Sequence, residues 1–388
     1  MNFAPRVRRG HTTLADVDAA VDELHAQLDQ ADSTLVLIFA SPDYPPEALA
    51  AALNRRFADT LVVGCTTAGE IGPGGYQHHS ISAVSFAAPD FCAVAQRIDD
   101  LAGMSLSDAL GVAMGARHQL GVRSPFPIER RTFALLLIDG LSAREEQVAS
   151  RLSRALGDIP MFGGSAGDNM RFERTAVLID GQFVSAAAAL VLVSTPHPFE
   201  VFKSEHAAGY GERVVVTEAD ADRRIVTEIN AEPAAAEYAR LLGLAPEKLT
   251  PQAFAAHPLV LQVGGVPYVR SIQRVNPDLT LSFFCAIDEG LVLSGTRAHD
   301  VVSNLARTFD GLRRRLGPLQ VVLGCDCILR TLAEHDSATR TRLSALLAAN
   351  HVVGFNTYGE QFNAMHVNQT FTGIAIGYGL PEIGRAHV

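Results

Sequence analysis

Three short turns in this chain share one pattern, and their recurrence constrains its fold more than any other feature. They read Thr67-Ala68-Gly69-Glu70, Ser165-Ala166-Gly167-Asp168 and Thr357-Tyr358-Gly359-Glu360: a hydroxyl, any residue, a glycine, then a carboxylate. Each follows an apolar stretch and leads into a Gly- or Asn-containing loop. One such match would carry little weight. Three at equivalent places mark an internal repeat, and repeats decide the architecture before any single element does.

The surroundings of each turn repeat as well. Unit one has an apolar strand at 35–39, a helix at 46–57 opened by prolines where a missing N–H costs little, a second strand at 61–63 and a closing strand at 80–86. Unit two has strands at 133–138, 177–179 and 187–193, with a helix at 143–156 capped by Ser142 and Glu145 in the manner of a capping box. Unit three has a strand at 319–323, a helix at 338–347 and a closing strand at 372–377. A strand–helix–strand crossover is parallel and right-handed. The expected class is therefore α/β (α+β): repeated strand–helix–strand–strand units forming mixed sheets covered by helices, in two associated domains.

Between units two and three the pattern loosens into short alternating runs around the acidic turn 218–222, a hairpin signal. Helical periodicity returns at 233–242 and at 300–316, where Val301, Val302, Leu305, Phe309 and Leu312 share a face. We divide the chain into an N-terminal extension and helix (1–31), a domain holding two repeats (32–229) and a domain ending in the third (230–388).

The formal net charge of −10 argues against a nucleic-acid partner, which requires a concentrated basic face. Arg6, Arg8 and Arg9 are read as a loose N-terminal arm, and Arg313 to Arg315 as the solvated end of a helix. Five cysteines scattered through apolar stretches suit free thiols in a reducing compartment. The first residues lack the apolar core of a secretory signal, and no segment approaches the ~18 apolar residues of a membrane helix. A soluble, cytoplasmic protein without membrane insertion is the expectation; homo-oligomerisation stays open.

Several segments resemble the FIST family: VVGCTTAGEI (62–71), GGSAGDN (163–169), PYVRSI (267–272) and YGEQFNAMHVNQTFTGIAIG (358–377). The last looks particularly like bacterial members that sense nitric oxide through bound haem and regulate a histidine kinase or a cyclic-di-GMP enzyme. The resemblance implies a ligand-binding sensory module rather than an enzyme. Haem b is the implied cofactor, and a haem-free sensor of amino acids or another small metabolite is the alternative.

Open α/β sheets bind ligands beyond the carboxyl ends of their strands. The turns therefore supply the candidate ligand residues Thr67, Gly69, Glu70, Ser165, Gly167, Asp168, Thr357, Tyr358, Gly359 and Glu360, which could equally satisfy only their own backbone. Arg270, mid-strand among apolar neighbours, must be paired or poised to take an anion. His366, between Met365 and Val367 with Asn363 and Asn368 beside it, is the candidate haem ligand, and His206 is the runner-up. A second alternative is a hydrolase or thiol enzyme using Ser165 or Cys327. Gly163-Gly164-Ser165-Ala166-Gly167 has the letters of a nucleophile elbow but no helix after it, and Cys325-Asp326-Cys327 lacks the further ligands of a metal site.

Overall fold

The computed structural model describes residues 6–205, 207–263, 266–298, 300–333 and 337–380. His206, the second haem candidate, lies outside the described residues.

Each repeat is longer than its turn suggested. A leading strand and a helix precede the crossover: Val7–Thr12 and Val17–Leu28 in unit one, Cys92–Ile98 and Leu106–Arg123 in unit two, Phe199–Glu205 and Val301–Leu316 in unit three. The crossover follows with parallel pairs Ser33–Ala40 and Leu61–Thr66, Thr132–Ile138 and Met161–Ser165, Leu319–Cys327 and Val352–Thr357. The basic N-terminal run is thus no loose arm. Val7–Thr12 pairs antiparallel with Ile81–Ala87 and buries Gly10 and Thr12, because alternate positions of the arginine-rich strand face inward. The second helix of unit two begins at Glu145 rather than Ala143, which has a positive φ of 54°. Ser142 accepts from the Arg144 N–H at 3.3 Å, a local turn bond and no helix cap.

The repeats join by exchanging hairpins. The hairpin of Glu70–Gly72 and Gly75–Gln77, from unit one, extends the sheet of unit three through Val352–Thr357. Unit three returns Glu360–Phe362 and Met365–Val367 to the sheet of unit two through Met161–Ser165. Unit two sends Val177–Ile179 and Gln182–Val184 to the sheet of unit one through Leu61–Thr66. The outcome is three six-stranded mixed sheets, each made of four resident strands and a visiting hairpin.

Two kinds of core result from strands that are apolar on both faces. The inner faces of all three sheets pool Phe39, Cys65, Phe86, Leu135, Phe162, Cys325, Phe355 and Ile374 into one central core. The outer faces pack against helix pairs in separate cores, one for each unit.

Unit three is split. Between its leading strand and its first helix, residues 207–263 and 266–298 form an additional antiparallel sheet with helices Ala234–Leu242 and Pro251–Ala256. This insertion has its own core around Tyr238, Phe254, Leu281 and Leu293. Pro251–Ala256 packs on Ile328–Ala333, next to the carboxyl end of Leu319–Cys327, so the insertion overlies the end of the three sheets where the repeated turns lie.

Candidate functional site

The three repeated turns interlock. The Ala68 N–H donates to the Asn356 carbonyl at 2.9 Å, the Gly167 N–H to Thr66 at 3.0 Å, and the Ser165 N–H to Gly359 at 2.8 Å. Reciprocal bonds run from the N–H of Asn356 to Gly69 and from that of Tyr358 to Ser165. Every turn thus spends backbone groups on its neighbours, which fixes all three around one axis.

Two of the carboxylates are consumed locally. Glu70 accepts from the Thr67 hydroxyl and from the Ser80 hydroxyl at 2.6 Å, with the Ser80 N–H at 3.2 Å. Glu360 repeats this with the Thr357 hydroxyl, the Thr370 hydroxyl at 2.7 Å and the Thr370 N–H at 3.3 Å. Both are fully buried, and burial pushes them up to about 7 and about 8. Asp168 differs. It accepts from the N–H groups of Phe172, Glu173 and Arg174 at 2.7–2.9 Å and from the Tyr358 hydroxyl. Burial opposes its charge, but these bonds hold it below the ordinary carboxylate range. Asp168 also borders an open cleft of about 160 Å³ with Tyr44, Thr66, Arg171 and Arg174.

The aromatic ring of Tyr358 lies 5.0 Å from Phe172 and 6.2 Å from Phe284 of the insertion, so this cluster fastens the insertion to the turns. Gly69 and Gly359 share a φ of +137°, open only to glycine, and at both points the chain turns into its visiting hairpin.

Ser165 and Cys327 have no nucleophile's setting. Ser165 is buried and its hydroxyl accepts from the Gln361 amide at 2.9 Å. Cys327 sits in an apolar cluster with Tyr358 and Ile328, and burial raises its thiol well above the ordinary value. Nucleophilic activation requires an adjacent base or a lowered pKa.

The notable polar chemistry lies one step away, on the hairpin that unit three lends to unit two. Gln361 and His366 are opposed across it and share a face. The Gln361 amide N–H donates to His366 Nδ1 at 3.2 Å. His366 Nε2, Gln361 Oε1 and both side-chain polar atoms of Asn368 have no hydrogen-bond partner, although these residues are at most 2% exposed. Such orphaned groups are rare in native interiors and call for an explanation. Burial drives the imidazole down to about 4 despite the nearby Glu146 carboxylate, so the ring is neutral. The Phe284 carbonyl lies toward the ring without completing a hydrogen bond.

Two glutamates near the ring are paired with an arginine, and the sequence reading missed them. Arg224, on a turn of the insertion, reaches both Glu145 and Glu146 at the start of Glu145–Leu156, and donates to the Phe284 carbonyl at 2.7 Å. Glu146 also accepts from the Ala286 N–H. Glu145, the more deeply buried, is pushed up to about 7 by burial. Burial opposes the charge of Glu146, but Arg224 and the Ala286 N–H hold it low. Arg270, on strand Val266–Arg270 beside the hairpin, keeps an unpartnered Nε. A pair of adjacent glutamates opposite an arginine, far apart in sequence, leaves no local signal.

Haem, the group the resemblance implies, would need a neutral imidazole whose ring N–H is held by an acceptor while the other nitrogen faces an open slot. Here Nδ1 is itself the acceptor, so the proton sits on Nε2. That nitrogen lies against Gly359, where an added Cβ would come within 2.6 Å of it and 2.8 Å of Asn368 Nδ2. The residues present do not fit a porphyrin on His366. Among the described residues no group of three or more His, Cys, Asp or Glu could hold a metal ion. No described helix is long and apolar enough to cross a membrane.

Two family models cover most of the chain: the FIST N domain over residues 34–232 and the FIST C domain over 234–363. They part inside the insertion, whereas the sheets part between Phe199–Glu205 and Ala207–Asp220. No curated protein matches the sequence. The crystal structure of cyanuric acid hydrolase from A. caulinodans is similar at a TM-score of 0.39 and 10% identity over 97% of this chain and 100% of that one, too distant to bear on the reaction. FIST domains are sensory domains that bind small ligands in signal transduction. By its two domain matches, this chain belongs to the FIST family.

Proposed function

We propose that the chain is a sensor that binds a small polar ligand at Gln361, His366 and Asn368 and signals to a separate output protein, a histidine kinase or a cyclic-di-GMP enzyme. One observation carries the reading: a neutral, fully buried imidazole with an unpartnered nitrogen, beside an asparagine with neither end paired. Intramolecular packing normally satisfies such groups, so a ligand that pairs with them stabilises the bound state selectively. The position supports signalling. His366 lies on a hairpin shared by units two and three and within the field of Arg224, which ties the insertion to unit two. A ligand there can bias how the insertion docks.

Metabolite panels screened by thermal shift, on the wild type and on Asn368→Leu, test this reading. It expects stabilisation that disappears in the variant, and metabolites that stabilise both equally would defeat it. Haem-dependent sensing of nitric oxide is the second reading, and it rests on the resemblance of segment 358–377 alone. It requires the ring to shed its present tautomer and move from Gly359. A Soret band that shifts with nitric oxide and is lost in His366→Ala would support it, and protein that stays colourless on haem addition would end it.

A further inference from the structure

We infer that the insertion holds a second ligand site, apart from Gln361, His366 and Asn368, and that it takes a small organic amine: an apolar, ring-sized body carrying one ammonium group.

A missing side chain makes the room. Strand Val292–Ala298 turns Leu293 into the core of the insertion, and the next residue on that face is Gly295. On one side Gly295 pairs with Leu259. On the other the ladder slips: Gly209 pairs with Thr296 and Arg213 with Ser294, so residues 210–212 stand against Gly295 alone. An added Cβ on Gly211 would come within 2.8 Å of the Gly295 Cα, so the bulge needs a glycine there. One on Gly295 would meet only the Gly211 Cα, at 3.6 Å, which is ordinary contact. Residue 295 has space for a side chain and carries none, and an open cavity of about 260 Å³ lies beside it. An apolar cavity of about 150 Å³ already takes up benzene. A ring with a short chain therefore fits.

The walls grade from apolar to charged. Tyr238 and Leu259 are buried, Leu241 and Leu242 are half-buried, and Glu212 and His257 stand exposed at the mouth. The Tyr238 hydroxyl donates to the His257 carbonyl at 2.6 Å, which fastens helix Ala234–Leu242 to the residues leading into Leu259–Val263. Among the described residues that line the cavity, Glu212 is the one carboxylate, and there is no lysine or arginine. Arg240 reaches Glu212 at 2.9 Å but shares its charge with Glu237 at 2.6 Å. Two carboxylates around one guanidinium leave the mouth net negative. An ammonium offsets that charge, and a carboxylate adds to it. Contact with the leucines supplies affinity, and the exposed glutamate supplies preference, because an exposed ion pair alone is worth little.

The test uses the full chain at about pH 8, where an ordinary histidine is neutral. Leucine methyls are ¹³C-labelled, and three probes share one ring: 2-phenylethylamine, 2-phenylethanol and 3-phenylpropanoate. The expected result is saturable perturbation of the Leu241, Leu242 and Leu259 methyls. At low salt the amine should bind about three- to fivefold more tightly than the alcohol and about tenfold more tightly than the carboxylate, the scale of exposed charges. Glu212→Gln, an exposed change, should bring the amine to the level of the alcohol and leave the alcohol where it was. Gly295→Leu, with its thermal midpoint at or above the wild-type value, should abolish binding of all three. An amine that binds no more tightly than the alcohol, or that keeps its advantage in Glu212→Gln, overturns the ligand class. Methyls unmoved by every probe in wild-type protein, or shifted equally in Gly295→Leu, overturn the site itself.

Discussion

Glu70 and Glu360 occupy the same position in two different repeats, and each accepts from a threonine three residues before it and a hydroxyl residue ten residues after it. Their partners even match in kind: side-chain hydroxyl, side-chain hydroxyl and backbone N–H. Asp168, the third member, has exchanged this pattern for three backbone N–H groups and Tyr358. The repeat is therefore exact at its supports and broken where unit two meets the insertion.

Glu70 and Glu360 should make the protein less stable as the pH rises from about 5 towards 8. Both are raised by burial, so the folded chain holds protons that the unfolded chain has already released. Their contribution is complete below the unfolded value and is lost as the pH passes through the folded one. Each group can contribute a slope of at most about 1.4 kcal/mol per pH unit. Urea unfolding across this range should show the decline, and Glu70→Gln with Glu360→Gln should reduce it, leaving the share of Glu145, which burial also raises. A slope in the double variant equal to that of the wild type contradicts the assignment.

Removing Arg224 should be costly. Arg224→Ala leaves Glu145 and Glu146 facing each other without a cation, a loss of about 3–5 kcal/mol for a broken buried pair. Because this arginine ties the insertion to unit two, limited proteolysis should cut within residues 207–298 sooner than in the wild type. Restored resistance in Arg224→Ala/Glu145→Gln/Glu146→Gln would show that the unpaired charges cause the loss.

Gly359→Ala should destabilise by about 3 kcal/mol or more, from a disallowed φ of +137° and from the collision of the new methyl with His366 and Asn368. Gly243, left-handed with φ of 64° and ψ of 30° and with open space around it, is the control and should cost only about 1–2 kcal/mol. Thermal unfolding of both variants measures the difference.

Tyr358→Phe removes a hydroxyl that donates to Asp168 and accepts from the Met170 N–H at 2.8 Å. A loss of about 1–3 kcal/mol follows, as for a hydrogen bond to a charged group. Asp168 should rise towards its ordinary value. Its stabilisation is present above the unfolded pKa and lost as the pH falls through the folded one, so the variant should lose less on acidification. Acid unfolding compared between the two proteins checks the sign.

Much of this architecture could be read locally. Strand 35–39, the proline-opened helix and the three turns lie where their patterns place them, because apolar alternation and φ restrictions act over a few residues. The leading strands were harder. Val7–Thr12 carries arginine at two of its six positions and pairs only once Ile81–Ala87 stands beside it. The site was legible in part. His366 and Asn368 stood out by their segment, and Tyr358 and Asp168 by their turn. Gln361 and the Arg224 pairing with Glu145 and Glu146 did not, because residues that meet across a lent hairpin or a docked insertion share no sequence neighbourhood.

The amino-acid order alone determined that three like units exist, that their crossovers are parallel and that their turns end in a glycine and a carboxylate. Only the tertiary structure decided which sheet each hairpin joins, which carboxylates are consumed by hydroxyls and which polar side chains are left without partners. The reason is physical. A strand or a turn is stabilised by its own residues and the next few, whereas a buried polar group is paired or orphaned by whatever distant chain is folded against it.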